Sequence, residues 1–245
     1  RYMFRGERLV DNAVVSPMLT LKMESLELSA ASIYDIKKDE VFRHVYQLTF
    51  KTQINKIGLD TGFVRYDPRK GADATTEFFA KASWKGNWQP SLTVFFDVKE
   101  GTGQYVQAGF ARNITSGDNK VVFGTKLGYV VNNKYMGLND NGKEFSGLYD
   151  AELYLTTSFK MGKHFTVEPL IAYSMPLSQD GKEAIRNMSV NKESKNLYGG
   201  VTILNKQVMG TVKIQYQCLG GKYSADRNYV VQAIAERNYN PRMVA

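Results

Sequence analysis

From Gly147 to Leu177 (GLYDAELYLTTSFKMGKHFTVEPLIAYSMPL) apolar and polar residues take turns. Tyr149, Ala151, Leu153, Leu155, Thr157 and Phe159 form one set, with Asp150, Glu152, Tyr154, Thr156, Ser158 and Lys160 between them. After Met161-Gly162-Lys163-His164 the pattern resumes with Phe165, Val167, Pro169, Ile171, Tyr173 and Met175. A period of two sends successive side chains to opposite faces of a β-strand. The stretch therefore predicts a hairpin with one apolar and one charged face.

The same period recurs along nearly the whole chain. It predicts strands at 1–9, 16–24, 26–34, 41–52, 57–66, 77–85, 91–98, 104–114, 120–131, 148–160, 164–175, 195–204, 207–217 and 228–237. The count is fourteen, with twelve as the alternative if the terminal segments lie outside the sheet. No convincing amphipathic helix interrupts the series; the one helix-like candidate, VVQAIAERNY, also reads as a strand. Nothing marks a linker, so residues 1–245 read as one all-β domain, with 218–245 a last strand plus a short tail.

Connection lengths alternate. Short turns fall near Glu24-Ser25, Gln53–Lys56, Met161–His164 and Asn205-Lys206, and longer connections at 35–40, 68–76, 132–147 and 178–194. In an up-and-down meander alternate connections emerge at the same end, as in membrane barrels with short turns on one side and long loops on the other. The apolar face of such a barrel meets lipid; in a soluble β-sandwich it would meet a packed core. Ionisable and small residues at mid-strand on the polar face, and aromatics near strand ends, favour the barrel. The expected fold is an antiparallel transmembrane up-and-down β-barrel of the bacterial outer membrane. Arg65 and Arg112 fall in the lipid-facing register near strand ends, where a long side chain can reach the headgroups.

Composition adds exclusions. The net charge is +8, but Lys and Arg are spread over apparent turns, and no element gathers basic and aromatic residues for nucleic acid. The single cysteine, Cys218, cannot form an internal disulfide, and no Cys/His spacing suits a metal. No apolar run is long enough for a membrane helix. The chain starts with Arg rather than Met, as expected of a processed or truncated form.

Candidate chemistry is sparse. The two histidines, His44 and His164, read as an interfacial aromatic and a turn donor, and no nucleophile is paired with either, so no enzyme, cofactor or metal is expected. Asn139-Asp140-Asn141-Gly142 resembles part of a calcium loop, but Gly137 occupies the first ligand position, and a loop turn is the better reading. The predicted pore-lining residues are Arg43, Lys51, Asp60, Lys81, Asp97, Lys126, Asp150, Glu152 and Lys213.

Tyr2-Met3-Phe4-Arg5-Gly6, followed by Asp11-Asn12-Ala13 and a strand near Ser16-Pro17, resembles the start of TorF-type porins, Gram-negative outer-membrane barrels. The LYDAELYLTTSF and LYGGVTI segments are also similar to that family's strands. The chain departs from barrels that close on a terminal aromatic, since it ends NYNPRMVA. The resemblance implies a porin-like passive diffusion channel for small polar solutes or ions. The alternative is a non-conducting anchoring barrel that docks an envelope protein or surface layer. Outer-membrane lipid is the expected surrounding in both.

Overall fold

The computed structural model describes residues 1–69, 73–116, 119–162, 165–205 and 211–218. The chain opens with a short hairpin, β1 (Tyr2–Phe4) and β2 (Glu7–Val10), which pairs only with itself. There follow β3 (Val14–Met23), β4 (Leu26–Asp35), β5 (Glu40–Ile54), β6 (Ile57–Pro68), β7 (Thr75–Trp84), β8 (Trp88–Asp97), β9 (Gln104–Ser116), β10 (Asn119–Val131), β11 (Ser146–Met161), β12 (Phe165–Pro176) and β13 (Asn196–Asn205). These eleven strands pair antiparallel in chain order as one sheet. A further strand, β14 (Thr211–Cys218), pairs with β13 on one side and with β3 on the other, as in Ile203↔Ile214 and Ile214↔Pro17.

Alternation fixes the faces. On the outer face, Leu19, Leu21, Leu28, Tyr46, Phe50, Phe63, Leu92, Phe110, Phe123, Leu127, Leu153, Leu155, Ile171 and Leu197 are all exposed. The inner face buries Asp35, Arg43, Thr49, Glu77, Thr93, Asp97, Asp150, Ser174 and Thr202. Val14, Ile33, Val64, Phe79 and Tyr105 are buried on the same inner side, so what departs from the usual partition is the row of large apolar side chains left exposed outside.

Three sequence expectations are corrected. Residues 1–9 do not form a strand of the sheet. Arg5 (φ 46) and Gly6 (φ 84) both have positive φ, the signature of a two-residue hairpin turn with left-handed central positions, so the segment doubles back. A Cβ at Gly6 would lie 3.0 Å from the Asp150 Cβ, so the turn tolerates little else there. Second, Tyr149 does not share the outer face with Ala151 and Leu153. The β10–β11 register shifts between Leu127 and Tyr129; the extra residue is a bulge, and both Tyr149 and Asp150 turn inward and are buried. Third, the loop 178–194 contains a helix, α1 (Gln179–Met188). Ser178 caps it by accepting from the Gly181 amide at 3.0 Å, and Asp180 and Arg186 lie at the ends that suit the helix dipole. The candidate strand 228–237, the VVQAIAERNY segment and His164 lie outside the described residues.

The long connections gather at one end. Asp140 accepts from Arg186 at 2.5 Å, the Asn187 side chain donates to the Leu138 carbonyl at 3.2 Å, and the Asp140 amide donates to Glu183 at 3.0 Å. The bond from Arg186 holds the Asp140 carboxyl below its usual range. Within the loop the Asn139 side chain accepts from the Asn141 and Lys143 amides, a local Asx-type turn.

Candidate functional site: an interior filled at the loop end

The sheet curves around the N-terminal hairpin, which touches residues of β3 to β9, β11 and β13. Val10 packs with Val14 and Ile33. The Phe4 ring meets Tyr66 edge-on at 5.1 Å. At the tip, the Arg5 guanidinium donates to both Glu77 oxygens, at 2.7 and 2.6 Å. Glu77 is fully buried and the Arg5 side chain nearly so. The guanidinium also lies over Phe95 and Tyr105, 4.3 Å from each ring centroid. A bidentate pair fixes direction as well as energy, so this contact sets where the hairpin tip sits.

The second strand of the hairpin is as closely held. Tyr149 donates through its hydroxyl to Glu7 at 2.7 Å. Burial, opposed by that bond, pushes the Glu7 carboxyl up to about 8. The Arg8 amide donates to Ser189 at 3.0 Å, and its guanidinium pairs with Glu193 at 2.9 Å. Tyr105, Val130, Met136, Phe145, Tyr149, Ala184 and Ile185 form the main apolar cluster, with Phe4 packed against it. The N-terminal hairpin, the turn Lys134–Met136 and α1 thus close the loop end from within.

The predicted pore-lining residues separate into three groups, with Lys213 apart from them. Arg43, Asp97 and Asp150 are buried at the loop end. Arg43 lies among the rings of Phe4, Tyr66, Phe42 and Tyr2, 5.2 to 5.9 Å from their centroids. Asp97 accepts from Thr75 Oγ1 at 2.7 Å. Asp150 accepts from Tyr105 at 2.8 Å, and a Cβ at Gly128 would stand 2.1 Å from the Asp150 Oδ1, so a glycine leaves room for the pair. Lys51, Asp60 and Lys81 line a cavity of about 330 Å³ toward the short-turn end, with Glu27, Gln47 and Gln107. Lys51 pairs with Glu27 at 2.7 Å, and Asp60 lies directly across from Lys81. Lys126 and Glu152 form a pair at 2.5 Å, and Tyr198 donates to the same Glu152. Lys213 is placed by register alone, opposite Met18.

Sequence reasoning missed Arg5, Glu7 and Tyr149 as interior residues, and placed Glu77 on the polar face without singling it out. The signal available was Arg5-Gly6 itself, since a glycine inside a strand-like run marks a turn. On the outer face, Arg112 lies 4.5 Å above the Trp88 ring, and His44 Nδ1 is hydrogen-bonded to Ser32 Oγ at 2.9 Å. No protein-family model matches this chain, and no curated protein matches it in sequence.

Proposed function

We propose that the chain is a membrane-spanning β-barrel of the bacterial outer membrane, closed into twelve strands through β14, with an interior passage for small polar solutes or ions held shut by the N-terminal hairpin. The observation that carries this reading is the inverted partition: large apolar side chains at alternate positions around the outer face, ionisable ones within. A sandwich buries its apolar faces; this sheet leaves its most apolar face exposed and encloses ionisable groups. Lipid is the environment that accepts such a surface, with strands of about 9–11 residues sufficing to cross it. Trp84, Trp88, Phe159 and Phe165 toward the short turns, and Tyr34 and Tyr129 toward the loops, suit two aromatic girdles. The N-terminal resemblance to TorF-type porins points the same way.

Passage requires the hairpin to move, and Glu7 makes that movement pH-dependent. Its carboxyl titrates near 8 when seated against an ordinary value of 4.5. A raised value means the seated hairpin favours the neutral acid. The stabilisation is fully present below about pH 4.5 and is lost as pH rises through about 8. Planar-bilayer conductance of the full chain should therefore be low near pH 6 and rise toward pH 9. Glu7→Gln should stay low across that window. A wild-type conductance that is high at pH 6, or that ignores pH, contradicts the gated passage. A folded, inserted chain silent at every pH favours the anchoring barrel, for which the packed loop-end platform of α1 and Leu138–Lys143 would be the docking surface.

A further inference from the structure

The cavity of about 330 Å³ toward the short-turn end is built in two rungs. On the outer rung one inward-facing row crosses five strands. Lys51 of β5 pairs with Asp60 of β6, Asp60 with Lys81 of β7, Lys81 with Thr93 of β8, and Thr93 with Gln107 of β9. All of them line the cavity. Directly paired side chains start about 4.5–5.5 Å apart, so base, acid and base alternate at close range. Lys51 is taken by Glu27 at 2.7 Å. Asp60 and Lys81 are partly buried, and neither makes a hydrogen bond or ion pair with another described residue. An opposed acid and base that do not close on each other are both available to a ligand.

Two residues deeper, about 7 Å along the strands, the next rung is apolar. Phe79 pairs with Phe95, their ring centroids 6.0 Å apart, and both line the cavity together with Val64. On β6 this rung holds Gly62. A Cβ there would collide with the Leu48 carbonyl oxygen, so the wall between Asp60 and Val64 carries no side chain. The hairpin tip backs the rung. The Arg5 guanidinium lies 4.3 Å from the Phe95 centroid, and Phe4 packs against the cluster of Val64, Tyr66 and Phe79.

Among the described residues the charged lining is balanced: Glu27 and Asp60 against Lys51 and Lys81. A solute of one sign would meet a like charge beside each opposite one. The lining fits a solute with both charges close together at one end and an apolar group at the other. We infer that this cavity binds free α-amino acids with a large apolar side chain. Lys81 donates to the carboxylate, Asp60 accepts from the ammonium, and the side chain rests on Phe79 and Phe95. A volume of about 330 Å³ lies at the lower end of the range for small-molecule sites, which suits a solute of this size. The site stands at the short-turn mouth of the passage, next to the hairpin tip that shuts it.

The inference deepens the passage reading and rests on it for the route the solute takes, so binding and conductance are measured separately on one preparation. The full chain is folded in detergent micelles and checked by heat-modifiable mobility. It is titrated by calorimetry with L-phenylalanine, and for comparison with L-serine, 3-phenylpropionate, phenethylamine and D-glucose. The same protein is then taken into planar bilayers. The wild type should bind L-phenylalanine roughly tenfold or more tightly than any of the other four, since each lacks a charge or the apolar group. Asp60→Asn and Lys81→Gln should each weaken binding roughly 10–100-fold, the loss of one charge-assisted bond. Phe79→Leu, which keeps an apolar side chain in place, should weaken L-phenylalanine without improving L-serine. A wild type that conducts but does not bind L-phenylalanine overturns the site and leaves the passage standing. Equal binding of L-serine, 3-phenylpropionate or D-glucose, or binding that ignores both charge variants, also overturns the site. Binding by a chain silent at every pH keeps the site and overturns the passage. A folded chain that neither binds nor conducts overturns both.

Discussion

Arg5→Ala should release the N-terminal hairpin. Glu77 has no exposed surface and receives both of its side-chain bonds from Arg5. Removing one partner of a buried pair leaves an uncompensated charge, at a cost of about 3–5 kcal/mol. That cost falls on the seated state alone, so the unseated population should grow by roughly two to four orders of magnitude. Trypsin added to the loop side of reconstituted vesicles should then cut after Arg8 in the variant and spare the wild type. Replacing both partners, Arg5→Met with Glu77→Met, should recover most of the protection, because no charge is left unpaired. An Arg5→Ala chain as resistant as the wild type would show that the ion pair does not hold the hairpin.

The second large effect concerns the outer face. Leu153 lies midway along β11, exposed, with Thr125 and Tyr173 as cross-strand neighbours. Leu153→Arg should cost roughly 2–4 kcal/mol of folding in lipid, the depth-dependent value for a cation near the bilayer midplane. Glu152→Ala, one residue away, faces inward and gives up the pair with Lys126 and the bond from Tyr198; its cost should stay at about 1–2 kcal/mol. Urea titrations in vesicles measure both. In water an exposed leucine tolerates arginine within about 0.5 kcal/mol, so equal behaviour of the two variants would place Leu153 away from lipid.

How much of this was legible depends on the range of the interaction. The outer-face set of β12, from Phe165 to Tyr173, follows from alternation alone, because the side-chain period of a strand is local. The bulge at Tyr149-Asp150 breaks that rule by one residue, and its cause is tertiary: Tyr149 is needed inside to donate to Glu7, more than a hundred residues away in sequence. The hairpin was hidden because Tyr2, Phe4 and Leu9 mimic a strand while Arg5-Gly6 bends it back. The helix α1 went unread although Ser178 with Asp180 is an N-terminal signature; its polar sequence offers Ala184 and Ile185 as the only apolar side chains it buries. The inward direction of Lys51, Asp60, Lys81, Lys126 and Glu152 was legible from alternation. Their sorting into ion pairs and cavity walls was not, since it requires the register across successive hairpins.

The lipid contact of the outer face is tested most directly by the chain's own fluorescence. Its two tryptophans, Trp84 and Trp88, are both exposed on the outer face beside the short β7–β8 turn. Reconstituted into vesicles, the unmodified protein should lose emission when the lipids carry bromine on their acyl chains. Bromine near the carbonyl end should quench more than bromine near the methyl end, as expected for an interfacial girdle. Emission unchanged by bromine at either depth, from a chain folded and associated with the vesicles, would mean that this apolar surface does not face lipid.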